Sequence, residues 1–257
     1  MRKIVSVTKR VVLVVVILVI LAVKGLLVSY AFPRNVYWMD SVRMFFQKRL
    51  IKAAGTIQIE TEVVDGFWNI IPADGALVWS EIQPFFHLLQ PGDIMFSATE
   101  KYLSNLFIPW LWQHAVIYLW NRQILDVNED GVMKRNFDEL FNLQTISFLK
   151  SLIAFRIQRS DEEIESFVAA ALTQIGKPYD FDFNIEDDSS LYCSELIRNA
   201  LNEIGISLQT TNNFLREMIS PSSAVAFMQG DVVLKNDFIE LFHLSKEGKN
   251  LINLTEK

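Results

Sequence analysis

Residues 11–32 form an almost unbroken apolar run: 19 of the 22 are hydrophobic, and the exceptions are Lys24, Gly25 and Ser29. At about 1.5 Å per residue the run can cross a bilayer core of roughly 30 Å. It predicts one N-terminal transmembrane helix. Lys24 lies past its middle and can snorkel toward the far interface. Arg2, Lys3, Lys9 and Arg10 precede the run, which places the N-terminus in the cytoplasm and the body on the outer, periplasmic or extracellular, side. The competing expectation is a cleaved signal peptide. The uninterrupted stretch 11–23 has the length of an h-region, and Ser29-Tyr30-Ala31 fits a small-x-small site, giving a secreted body after cleavage near Ala31.

Beyond the run the hydrophobic period changes several times. Residues 35–54 place Val36, Trp38, Val42, Phe45, Phe46 and Leu50 at helical spacing, with Arg43, Lys48, Arg49 and Lys52 on the other side. This predicts an amphipathic helix, lying either on lipid headgroups or on the domain. Residues 57–64 alternate as a short strand would, and Asp74 is placed to cap a helix reaching about Leu89. Gln90-Pro91-Gly92-Asp93 is a turn, followed by a strand through Ile94, Met95 and Phe96.

Residues 115–120 are apolar, β-branched and aromatic, as in a core strand. Asn121-Arg122 reads as a two-residue turn, 123–127 as the returning strand, Glu129-Asp130-Gly131 as another turn and 132–134 as a third strand. Residues 153–157 predict a further strand. Ser160-Asp161-Glu162-Glu163 is a capping box opening a helix that ends near Gly176. Residues 193–203 read as a helix stopped by Gly205, and 231–234 as a late strand. After Leu244 the chain turns polar, and a frayed tail is expected. An antiparallel sheet with flanking helices is an α+β fold. The expected division is a leader (1–32), a helical region packing on the core (33–89), the main domain (90–244) and a polar tail (245–257).

Composition narrows the chemistry. The 257 residues carry a net charge of −6. Residues 1–32 hold five bases and no acid, so the remaining 225 residues carry −11. An acidic body, with a pI near 5.2, argues against a nucleic-acid partner. The single Cys excludes an internal disulfide and any Cys-rich metal centre. Only three His are present, and no ligand spacing stands out, so neither a metal nor a cofactor is expected.

The single cysteine, Cys193, falls where a loop turns into a predicted helix. The free amides and positive end of a helix N-terminus favour a thiolate and can hold an oxyanion. His114 heads the apolar strand and is the natural base, since a strand fixes the imidazole. His87 sits on a predicted amphipathic helix and His243 near the expected frayed end, and both read as ordinary residues. A third polar group would orient the imidazole. A strict two-residue turn would place Glu129 opposite His114. Asp126 would need another loop length or a bulge to share its face, so spacing leaves Asp126, Asn128 and Glu129 all open. Glu186, Asp187 and Asp188 could serve as glycosidase-type paired carboxylates but read better as a solvated loop.

Four stretches, in order, resemble the YaeF/YiiX-type permuted papain-like hydrolases, which are circularly permuted relatives of NlpC-type peptidases. They are Pro91-Gly92-Asp93-Ile94; Phe107-Ile108-Pro109 with His114-Ala115-Val116-Ile117-Tyr118; Leu125-Asp126-Val127 to Gly131-Val132; and Gly176-Lys177-Pro178-Tyr179 with Tyr192-Cys193-Ser194-Glu195-Leu196. The resemblance implies a permuted papain-like fold, with Cys193 as nucleophile, His114 as base and Asp126 as the orienting group. Many relatives carry Glu at that last position, one methylene longer. Trp110 and Trp120 stand where the family has glycine, which would narrow the cleft. The implied activity is cleavage of amide or ester bonds in a peptide, peptidoglycan or lipid-linked acyl substrate through an acyl-enzyme. A catalytically silent binding module on the same fold is the alternative. The apolar residues Phe107, Trp110, Leu111 and Trp112 read either as core or as the lip of a lipid cleft.

Overall fold

The computed structural model describes residue 49 and residues 77, 79–99, 112–137, 149–213, 216–230, 237–247 and 250–253. The chain divides into two compact units, Met1–Arg49 and Leu50–Lys257. The predicted membrane run, the predicted elements at 57–64 and 231–234, and all of the 35–54 helix except Arg49 lie outside the described residues. Among the described residues no helix is long and apolar enough to cross a membrane.

The second unit is built on one seven-stranded antiparallel sheet. Its strands are β1 (Ile94–Thr99), β2 (His114–Tyr118), β3 (Gln123–Asn128), β4 (Gly131–Asn136), β5 (Leu149–Ile157), β8 (Phe238–Glu247) and β9 (Asn250–Asn253). They stand in the order β4-β3-β2-β1-β5-β8-β9. A separate two-stranded ribbon pairs β6 (Thr211–Asn213) with β7 (Arg216–Met218). Among the described residues four helices accompany them: α1 (Trp79–Ile82), α2 (Asp161–Leu172), α3 (Cys193–Glu203) and α4 (Pro221–Gln229). The α+β class and the meander β2-β3-β4 match the sequence reading.

Strand alternation divides the core in two. Ile94, Phe96, Ile117, Leu125, Val127 and Phe155 pack with Phe167 and Ala171 of α2, Leu196, Ile197 and Ala200 of α3, and Val225 and Met228 of α4. The intervening positions Met95, Val116, Tyr118, Ile124 and Leu152 pack on the other side with Ile82, Phe137 and Phe242. Both sides of the strands are therefore apolar, because a sheet covered on both faces buries every position.

Three local features hold the frame. Asp93 is 1% exposed and accepts Arg156 Nε at 2.9 Å on Oδ1 and Arg156 Nη2 at 2.8 Å on Oδ2, a bidentate pair. Its Oδ2 also accepts the Gln90 amide at 2.6 Å. The Pro-Gly-Asp turn is thereby locked to β5. Gly131 has φ +105°, and a Cβ there would run into the Lys177 carbonyl oxygen, so only glycine lets β4 meet the turn that follows α2. Ser160 caps α2, accepting Glu163 N at 3.3 Å while Glu163 Oε2 accepts Ser160 N at 3.1 Å, as the capping box predicts.

Other expectations are corrected. The helix expected to reach about Leu89 is α1 followed by a 3-10 turn over Gln83–Leu88. Pro84 near its start has no N–H to donate to a continuing α-helix. β5 starts at Leu149, four residues before the expected strand, and β1 lies between it and β2. The chain does not fray at Leu244. β8 runs on to Glu247 and turns into β9, with Leu244↔Asn253 and Ser245↔Ile252 paired. Backbone pairing and an ion pair from the largely buried Lys246 to Glu81 stabilise this polar stretch, a tertiary effect invisible to hydropathy.

Candidate active site

His114 is the first residue of β2 and pairs with Ser97 of β1. Whether Asp126 can reach it depends on the β2–β3 loop. The pairs Ile117↔Leu125 and Tyr118↔Ile124, with Leu119 N bonded to Gln123 O at 2.9 Å, make a three-residue loop of Trp120, Asn121 and Arg122. Asn121 (φ 53°) and Arg122 (φ 62°) are both left-handed, which the short loop requires. The extra residue shifts the register by one and moves Asp126 onto the face of His114. Asn128, by contrast, closes its own turn by accepting the Asp130 amide at 2.9 Å.

His114 Nε2 lies 2.7 Å from Asp126 Oδ1. Asp126 is fully buried, while His114 keeps 25% of its side chain exposed. Asp126 Oδ2 accepts a second bond, 2.8 Å long, from Arg135 Nη1. Arg135 stands on β4 opposite Ile124, so it shares the face of Asp126. The sequence reading missed it. The β3–β4 register, once known, points straight to it. The shorter Asp reaches the imidazole without difficulty.

The charges reinforce this order. Burial alone would lower the His114 pKa. The Asp126 carboxylate, by charge and hydrogen bond, and then Cys193 outweigh it and raise the imidazole to about 10. Burial pushes Asp126 up, but His114 and then Arg135 hold it below the ordinary carboxylate value. Among the described groups, Asp126 is a held anion and His114 a held cation.

Cys193 is the first residue of α3 and is 7% exposed. Its side chain lies near enough to His114 to help raise the imidazole pKa. Asp126 occupies Nε2, which leaves Nδ1 as the nitrogen for exchanging a proton with the thiol. The start of α3 is pinned on both sides of Cys193. Tyr192 Oη accepts the Ile219 amide at 3.0 Å, and Ser194 Oγ donates to the Ile219 carbonyl at 2.9 Å.

The structure thus brings together all three candidates, Cys193, His114 and Asp126. It does not bring in the others. His87 is exposed on the 3-10 turn. His243 lies mid-strand in β8 opposite Ile153, with its ring 5.4 Å from Trp112. Its pKa is lowered, chiefly by burial. Glu186 and Asp188 are exposed, and Asp187 closes its own loop by accepting the Ser189 amide at 3.1 Å. Trp110, Leu111 and Phe107 lie outside the described residues, whereas Trp112 is 4% exposed and belongs to the core. Trp120 lies six residues beyond His114, about 20 Å along the strand direction, with Lys134 over its ring at 5.4 Å. It does not narrow the site. Among the described residues no group of three or more His, Cys, Asp or Glu could hold a metal ion.

A helix-borne cysteine facing a histidine–carboxylate pair on the adjoining strands, in the chain order His, Asp, Cys, is the papain-like arrangement in permuted order. The sequence profile of the permuted papain-like amidase enzymes, YaeF/YiiX, C92 family, matches residues 88–246, and the chain belongs to that family. Among solved structures it is similar to the crystal structure of the metalloprotein yiiX from Escherichia coli O157:H7, at 17% identity and a TM-score of 0.40, covering 64% of this chain and 96% of that one. No curated protein matches.

Proposed function

We propose that the chain is a cysteine amidase, tethered to the membrane by residues 11–32 with its body on the outer side, acting on peptide amides such as those of peptidoglycan. The observation that carries this reading is the 2.7 Å His114–Asp126 bond set beside the thiol at the start of α3. Family membership supports amide hydrolysis. Cys193 as nucleophile, Asp126 as orienting group and the tether are the finer parts of the proposal.

In the mechanism, the Cys193 proton already rests on His114, which is held as the cation, and the sulfur attacks the amide carbonyl carbon. The carbonyl electron pair moves to oxygen, where the Cys193 amide at the helix start stabilises it. The C–N bond breaks as His114 gives its proton to the departing amine, leaving a thioester. Water then loses a proton to His114, adds to the thioester carbon and releases the acid and the thiol. Asp126 touches no reacting atom. It is a positioning residue that keeps the imidazole in the tautomer and orientation the proton transfers need.

The test measures amine released from peptidoglycan digests and peptide amides by the full chain in detergent. Cys193→Ala should lower release by at least about 10³-fold. Undiminished release would overturn the proposal. Release of fatty acid from phospholipid micelles, lost in Cys193→Ala, with peptides untouched, would move the same site to lipid acyl chemistry.

A further inference from the structure

Glu195 is the third residue of α3, two positions beyond Cys193, and its side chain is fully buried. Oε2 accepts the Tyr192 amide at 3.4 Å. Oε1 is enclosed and has no hydrogen-bond partner. An ionised carboxylate with an orphaned oxygen at this depth would carry a heavy desolvation cost, which a neutral acid avoids.

The groups around Glu195 point the same way. Asp180, itself 1% exposed, comes from the loop before α3 and accepts two backbone amides. Its Oδ1 accepts the Asp182 amide at 2.8 Å and its Oδ2 the Asn184 amide at 2.5 Å. Asp188 adds a second like charge from the same loop, and Arg198 on α3 opposes them. Two carboxylates in one buried region do not both ionise readily. Burial first, and Asp180 next, raise Glu195 to about 8.

A charge at Glu195 would also affect the nucleophile. The positive end of α3 is a shared field, and a carboxylate in the first turn competes for it with a thiolate at Cys193. We propose that Glu195 is a positioning residue that serves the Cys193 nucleophile as the neutral acid, and that its ionisation puts a negative charge in the first turn of the same helix, opposed to the thiolate. The inference rests on the reading of Cys193 as nucleophile, since only then does the local field matter to turnover.

Because Cys193 is the only thiol, its alkylation reports the field directly. The full chain in detergent is treated with neutral iodoacetamide and with anionic iodoacetate, and the ratio of the two rates is followed against pH. In the native protein the iodoacetate-to-iodoacetamide ratio should fall roughly three- to ten-fold between about pH 7 and 9 as Glu195 ionises. In Glu195→Gln, which keeps size and neutrality, it should change less than about two-fold. Stability supplies an independent readout. Glu195 binds its proton more tightly in the fold than in the unfolded chain. Its stabilising contribution is therefore complete below about 4.5, the ordinary value, and is lost as pH rises toward about 8. The urea midpoint of the native protein, relative to Glu195→Gln, should fall across that window. A reactive thiol with the same ratio curve in both proteins, or with no relative shift in urea midpoint, overturns the role of Glu195 and leaves the hydrolase reading standing. A thiol inert to both reagents at every pH overturns the hydrolase reading and this role with it.

Discussion

Replacing His114 by Ala will lower amide turnover by about 10²–10⁴-fold, the range lost with a general base, and will remove a specific pH dependence of folding. The turnover loss follows from the proton bookkeeping. Without the imidazole, nothing in the site receives the thiol proton or returns it to the leaving amine. The stability effect follows from the raised pKa. The folded protein binds the His114 proton more tightly than the unfolded chain does, because Asp126 and Cys193 face it. The resulting stabilisation is complete below about 6.5, the ordinary value, and disappears as pH rises toward about 10. Urea midpoints measured every half unit over that window should slope downward in the native protein and be flatter in His114→Ala. Equal slopes would show that the Asp126–His114 pair does not hold a proton in the fold.

Replacing Asp126 by Ala should be the second large effect. Its carboxylate is the one group that fixes the imidazole by Nε2 and so leaves Nδ1 toward the thiol. Turnover should fall by about 10²–10⁴-fold. Stability should fall as well, since Arg135 and His114 lose a shared buried anion. Breaking such pairs costs about 3–5 kcal/mol when the partners are fully buried. Here both partners keep a quarter of their side chains exposed, so about 2–3 kcal/mol is expected. Arg135→Ala separates the two roles. It leaves the 2.7 Å bond to His114 in place while freeing Asp126 Oδ2, so turnover should fall only about ten-fold. A kcat loss in Arg135→Ala equal to that in Asp126→Ala would mean that Arg135 does more than steady the carboxylate.

Much of this site could be read from the residues. Cys193 announced itself as the only thiol at a helix start, and His114 as the head of an apolar strand. Asp126 could not be chosen from spacing alone, because one loop residue decides which face of β3 it occupies. Asn121-Arg122 looks like a two-residue turn, whereas the chain includes Trp120 and uses two left-handed residues. Arg135 was hidden for the same reason, since its relation to Asp126 exists only through the β3–β4 register. Glu195 was legible as a word of the family resemblance, but its unpartnered oxygen depends on Asp180 and on depth, which no local pattern carries. The polar strand after Leu244 shows the converse. Its composition predicts a loose end, while pairing to β5 and the Glu81 ion pair make it part of the sheet.

The Cys193–His114 pair is the centre of the account, and the rate of alkylation of Cys193 by iodoacetamide against pH, in the native protein and in His114→Ala, tests it most directly. The pair predicts rapid reaction at about pH 6–7 in the native protein and a rate at least about ten-fold slower in His114→Ala at the same pH, because the thiolate is the reactive form. A thiol that is inert in the native fold, or that reacts alike with and without His114, would contradict the pair and leave Cys193 as a core residue of α3.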